Sequence, residues 1–118
     1  MLPRPDEAAF VEALVKAGLS NKEVALLRTH AHAPRRTATM RTLAKEALGV
    51  HNPQSANLIY GRLAARLTKM LEWTPDCRTD GSPVWMSLVA EGWSPPDREF
   101  EWTMVPTLAA AVRVSVPQ

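Results

Sequence analysis

Apolar residues recur at helical spacing through the first 70 positions of the chain. Over residues 6–17, Phe10, Val11, Leu14 and Val15 fall on one side of a helix, and Gly18 stands where a left-handed cap ends one. Ser20 and Glu23 have the spacing of a capping box, and Val24, Leu26 and Leu27 continue an apolar face. A second helix is therefore expected from Ser20 towards His32, stopped by Pro34, with residues 31–39 as an exposed basic loop. Thr39 can cap a third helix through Leu48, with Leu43, Ala44, Ala47 and Leu48 inward and Gly49 as its terminator. Asn52 and Pro53 form an N-cap and first-turn pair, since proline has no amide to leave unsatisfied there. They open a fourth helix to about Glu72, in which Ile59, Leu63, Leu67, Met70 and Leu71 make an apolar stripe and Arg62, Arg66 and Lys69 a basic one.

After Trp73 the period changes. Residues 84–89 and 100–104 read as two strands, the second strictly alternating, and residues 91–99 between them form a long proline-containing loop suited to a projecting wing. Asp80 and Gly81 mark a separate turn, and Pro106 with Thr107 opens a last short helix over residues 108–113. The expected fold class is α+β, a single mainly helical winged helix-turn-helix domain with a C-terminal β-hairpin and a short final helix. Its helix-turn-helix would span about 39–72 and its wing hairpin about 83–105.

A length of 118 residues supports one core, and 46% hydrophobic with 22% charged residues is the composition of a chain that folds. No apolar run approaches the roughly 18 residues that cross a bilayer, and the first ten residues are not those of a signal peptide. Cys77 is a single cysteine, so the reading is a cytoplasmic protein without disulfides or membrane contact.

Net charge is only +2, but it is segregated. Between Lys22 and Lys69 nine cations face two acids, whereas the remainder of the chain beyond Lys69 holds three cations against seven acids. The basic stretch coincides with the expected helix-turn-helix, whose second helix enters the DNA major groove. Gln54, Ser55 and Asn57 then stand nearest the base edges, because amides and hydroxyls both donate and accept. Arg62, Arg66 and Lys69, with Arg35, Arg36 and Arg41 on the flanks, are the candidate phosphate contacts. Trp93 and Arg98 are the candidate wing contacts, although Glu91, Asp97 and Glu99 surround them and oppose close approach to phosphate. The basic stripe taken alone reads more readily as a solvated helix face, a preference that its coincidence with the expected helix-turn-helix reverses, and Asn57 and Tyr60 read equally as capping or core groups. Trp85 and Trp102 are expected to pack on the helices, with Trp93 exposed.

The stretch LAKEALGVHNPQSANLIYGRLAARL, with VWMSLVAEG and FEWTMVPTLAAAV, resembles a little-characterised bacterial family. Its members are small domains found alone or attached to HNH-type nucleases, including some modification-dependent restriction proteins. The likeness covers roughly residues 20–113, and its most distinctive pieces are Asn57 with Tyr60-Gly61 and the run Trp102-Thr103-Met104. It implies a DNA-recognition module; no HNH segment is present in the sequence, so cleavage is not carried over.

His30, His32, His51 and Cys77 lack the spacing of a structural zinc site, and no phosphate loop, nucleophile elbow or paired-carboxylate motif is present. The expectation is a cofactor-free, metal-free, non-enzymatic binder of double-stranded DNA, a regulator or modified-DNA reader of bacterial or phage origin. A homodimer is expected, because one recognition helix covers few base pairs. The rival is a protein-binding module, docking through the wing or the basic face as anti-restriction and anti-CRISPR inhibitors do.

Overall fold

A computed structural model describes residues 3–116. Among them are five α-helices and two small antiparallel sheets, in the order α1 (Glu7–Ala17), α2 (Asn21–Ala31), β1 (Thr37–Ala38), α3 (Met40–Leu43), α4 (Pro53–Met70), β2 (Asp76–Cys77), β3 (Pro83–Val84), β4 (Ala90–Trp93), β5 (Glu101–Met104) and α5 (Pro106–Ser115). The helix starts follow from their caps. Asp6 accepts from the Ala9 amide, Thr39 from Thr42 and Asn52 from Gln54, while Ser20 and Glu23 close the full capping box. α3 continues as a π-helical turn over Ala44–Leu48, and Gly49 ends it at φ 69°, a left-handed conformation that glycine adopts without a Cβ clash.

Two two-residue strands, β1 and β2, escape the periodicity reading. Thr37–Ala38, expected as part of an exposed loop, forms β1 and pairs with β5, placing Thr37 opposite Thr103 and Ala38 opposite Trp102. Two residues are too few for alternation to register. The reversal before it bends through Arg35 and Arg36, both at φ 55°. Non-glycine residues occupy that region at a cost, here offset by Arg36 donating from its amide to Ala33 O at 2.8 Å and from Nε to Met104 O at 3.0 Å.

The hairpin is also displaced from its expected position. Residues 84–89 do not form its first strand: Val84 pairs instead with Asp76 in the small β2–β3 hairpin, and Trp85–Leu88 is a 3₁₀ turn with Met86, Ser87 and Leu88 buried. A continuous apolar run is ambiguous between strand and buried turn. β4 begins at Ala90 and pairs with β5 from Ala90 opposite Met104 to Trp93 opposite Glu101, so the three-stranded sheet runs β1-β5-β4. The connection is residues 94–100. α5 extends beyond the expected 108–113 to Pro106–Ser115 and lies against α1.

Phe10, Leu14, Leu26, Leu27, Leu63 and Leu108 lie in one continuous core. Ala44 of the π turn and Ala56 and Ala64 of α4 are fully buried, so their small side chains let these segments approach closely. At the centre of this core sits a histidine. His30 of α2 is fully buried, with Nδ1 2.7 Å from Tyr60 Oη on α4 and Nε2 2.9 Å from the Trp102 carbonyl on β5. A carbonyl only accepts, so Nε2 carries the proton and Nδ1 accepts from the tyrosine hydroxyl. Burial pushes the His30 pKa down, against the smaller upward pull of the Trp102 carbonyl, and pushes Tyr60 up.

With the folded-state pKa held below the ordinary imidazole value of 6.5, the unfolded chain takes up a proton that the native core refuses. Stability should be at its full value above about pH 6.5 and fall as the pH drops below it. Urea midpoints measured from pH 7.5 to 5 are expected to decline in the parent protein and to decline less in His30→Gln. An equal slope in both would assign the titration to another group.

Candidate nucleic-acid interface

Three arginines read from sequence as phosphate contacts are engaged inside the protein. Arg66 forms a two-pronged pair with Glu23, Nη1 to Oε2 at 3.0 Å and Nη2 to Oε1 at 2.9 Å, tying α4 to the first turn of α2. The Glu23 side chain is only 9% exposed and also accepts from the Ser20 amide. Burial raises its pKa, but the Arg66 guanidinium and the Ser20 amide together outweigh burial and hold it below the usual carboxylate value. Arg36 is spent on the Met104 carbonyl and lines a cleft of about 590 Å³ with Arg4, Glu91 and Thr107, away from the α4 residues named below. Arg41 remains exposed, but its Nε lies 2.9 Å from Glu99 Oε1 in the β4–β5 connection.

What stays available is concentrated on α4. Ala56, Tyr60, Leu63, Ala64 and Leu67 face the core, which turns Gln54, Leu58, Arg62 and Lys69 to solvent. Asn57 is exposed as well, so of the Asn57–Tyr60 pair only Tyr60 is a core group. Ser55 is half-buried. Among the described residues, none of the Gln54, Asn57, Arg62 or Lys69 side chains has a hydrogen-bond or ion-pair partner within the chain. Arg35 is exposed on the turn before β1.

Trp85 packs on the helices as its sequence suggests, but from a 3₁₀ turn and not from a strand. Trp85, expected in a strand, is carried by the 3₁₀ turn to the side of α4, with the Lys69 ammonium 5.7 Å from its ring centroid. Two shallow grooves of about 320 and 400 Å³ both include Asn57, Gly61 and Trp85. The larger is completed by Trp102 and by Arg78, which the β2–β3 hairpin contributes and which holds its place by donating to Pro83 O at 2.7 Å. The only sequence signal for this groove is Gly61, a residue that costs a helix interior about 0.5–1 kcal/mol relative to alanine.

The β4–β5 hairpin differs in its charge balance from its sequence. Trp93 is 56% exposed and Arg98 is exposed, as expected. The acids around them have cations of their own: Glu91 meets Arg4 at 3.2 Å, Glu99 meets Arg41, and Asp97 lies 3.7 Å from Arg98. On the opposite face of the hairpin Phe100 packs over Gly92 and tilts against Trp102 with centroids 5.0 Å apart, and a side chain at position 92 would collide with the Phe100 ring.

The residues screened for metal binding are dispersed. Both His30 nitrogens are occupied in the core, His32 Nδ1 is 2.9 Å from Arg28 O, and Cys77 is exposed on β2; no metal-type cluster of three such side chains occurs among the described residues. No described helix is long and apolar enough to cross a membrane.

Arg66→Ala should destabilise the domain by about 1–2 kcal/mol, because it leaves a largely buried carboxylate with half of its partners. The pair's contribution should be present above the ordinary Glu value of 4.5 and vanish as the pH falls through the lower folded value. Denaturant titrations of parent and variant at pH 7 and pH 3 check this. A gap of the same size at both values would detach it from the Glu23 charge.

No family model matches the chain, and no curated protein or solved structure matches it.

Proposed function

We propose that this chain is a winged helix-turn-helix domain that binds double-stranded DNA without catalysing a reaction, with α4 as its recognition helix. The observation that carries the reading is the contrast on α4 and around it. Arg36, Arg41 and Arg66 are paired internally, whereas Gln54, Asn57, Arg62 and Lys69 project together from one exposed face without hydrogen-bond or ion-pair partners among the described residues. Topology supports it too. A short strand between α2 and α3 pairs with the second strand of the hairpin, giving the order β1-β5-β4, a strand order compatible with a winged arrangement. Gln54 and Asn57 carry the groups that discriminate base edges, and Arg62, Lys69 and Arg35 the charges that hold phosphate. Arg41 joins them by exchanging Glu99 for the nucleic acid, a small cost for an exposed pair. Two copies on adjacent half-sites would supply the length of site that one helix cannot.

Exposed Trp93 favours a second reading, in which the wing docks on a protein. Salt-titrated fluorescence anisotropy with duplex DNA separates the two. Affinity should fall steeply with salt, and Arg62→Ala with Lys69→Ala should reduce the slope of log K against log salt by about 2, roughly 0.9 per phosphate contact. Gln54→Ala with Asn57→Ala should cost about 1–3 kcal/mol of preference for each base edge no longer read, while non-specific affinity persists. Absence of duplex binding by the parent at low salt would move the proposal to the protein-binding wing.

A further inference from the structure

α4 carries a glycine that its own packing does not ask for. Gly61 lies in the middle of the helix at no positive φ, and a Cβ built there meets nothing within 4 Å. Neither a turn nor a close internal contact accounts for it, although alanine would strengthen the helix. The missing side chain leaves bare backbone where the two grooves meet.

The groups around that backbone have a common chemistry. Trp85 offers an aromatic surface to both grooves, and Trp102 a second to the larger. Asn57 and Gln54 each present a donor and an acceptor, and Arg78 and Arg62 bring positive charge to the lining. A flat heterocycle with a hydrogen-bonding edge and an attached phosphate answers all three demands. Such a ring reaches an indole only when it has left its own stack, because a paired base shows its edge to the groove and hides its faces.

We infer that the groove over Gly61 seats one unstacked nucleotide, its base against Trp85 with Asn57 and Gln54 at the base edge, and its phosphate towards Arg78 or Arg62. This rests on the reading of α4 as a nucleic-acid face and adds the kind of nucleotide it takes. The nucleotide has two sources, a base extruded from a duplex or a base in a single strand.

Anisotropy titrations with three labelled probes of one sequence test it: an intact duplex, the same duplex with one unpaired thymidine, and the single strand. An unpaired form should bind about tenfold more tightly than the intact duplex, the scale of one base stacking on an aromatic side chain, and the form that does so names the source. Gly61→Ala should shrink the preference and Gly61→Leu abolish it. Because the added Cβ meets open space, Gly61→Ala should melt about 3–5 °C higher than the parent, so loss of preference cannot come from unfolding. Equal affinity for all three probes, or a preference that survives Gly61→Leu, overturns the inference and leaves duplex binding standing. Failure to bind any probe overturns the reading of α4 as well.

Discussion

A single buried histidine sets the relation between the helices and the sheet. His30 accepts from Tyr60 on α4 and donates to the Trp102 carbonyl on β5, so one side chain of α2 fixes both neighbours. In a core of alanines and leucines many rotations of α4 bury similar area, and apolar packing alone discriminates among them weakly. A directed hydrogen bond discriminates strongly, because rotating α4 would carry the Tyr60 hydroxyl away and leave the buried His30 Nδ1 without its partner. The Arg66–Glu23 pair adds a second tie between α2 and α4, close to two turns further along the helix. Together they settle which residues of α4 face outward.

Charge is divided between architecture and surface in a way that linear segregation conceals. One cation of the basic middle and one acid of the chain's end are opposite halves of the same ion pair, since Arg41 from the start of α3 meets Glu99 of the β4–β5 connection. Within the basic stretch, Glu23 is the one acid that captures an arginine of α4. Of the nine cations, Arg36, Arg41 and Arg66 are held by partners within the protein, whereas Lys22, Arg35, Lys45, Arg62 and Lys69 stay exposed, Arg62 and Lys69 on α4. The β4–β5 hairpin is also less repulsive towards phosphate than its sequence implies, although exposed pairs of this kind contribute little stability.

The helical half was legible because capping and periodicity act locally. Asp6, Ser20, Thr39 and Asn52 all cap as their side-chain chemistry requires, and α4 runs from Pro53 nearly to the residue where its stripe ends. The sheet was less so. β1 is too short to alternate, and β4 contains Glu91, Gly92 and an exposed Trp93, so only the hydrogen bonds to β5 identify it as a strand. Among the candidate site residues, Gln54, Asn57, Arg62 and Lys69 lie where their spacing puts them. Arg66 does not serve as a free cation, because its partner is 43 positions away and no local pattern encodes that meeting. The same holds for Trp85, whose approach to α4 depends on a 3₁₀ turn written in an apolar run.

The central claim, that the outer face of α4 is where this protein meets DNA, is tested most directly by mapping amide and indole NMR shifts during titration with a short duplex at low salt. The amides of Gln54, Asn57, Gly61, Arg62 and Lys69 and the indole of Trp85 should move together, while α1 and α5 stay unchanged. Shifts confined to Trp93 and the wing, or to the cleft beside Arg4 and Arg36, with α4 silent, would contradict it.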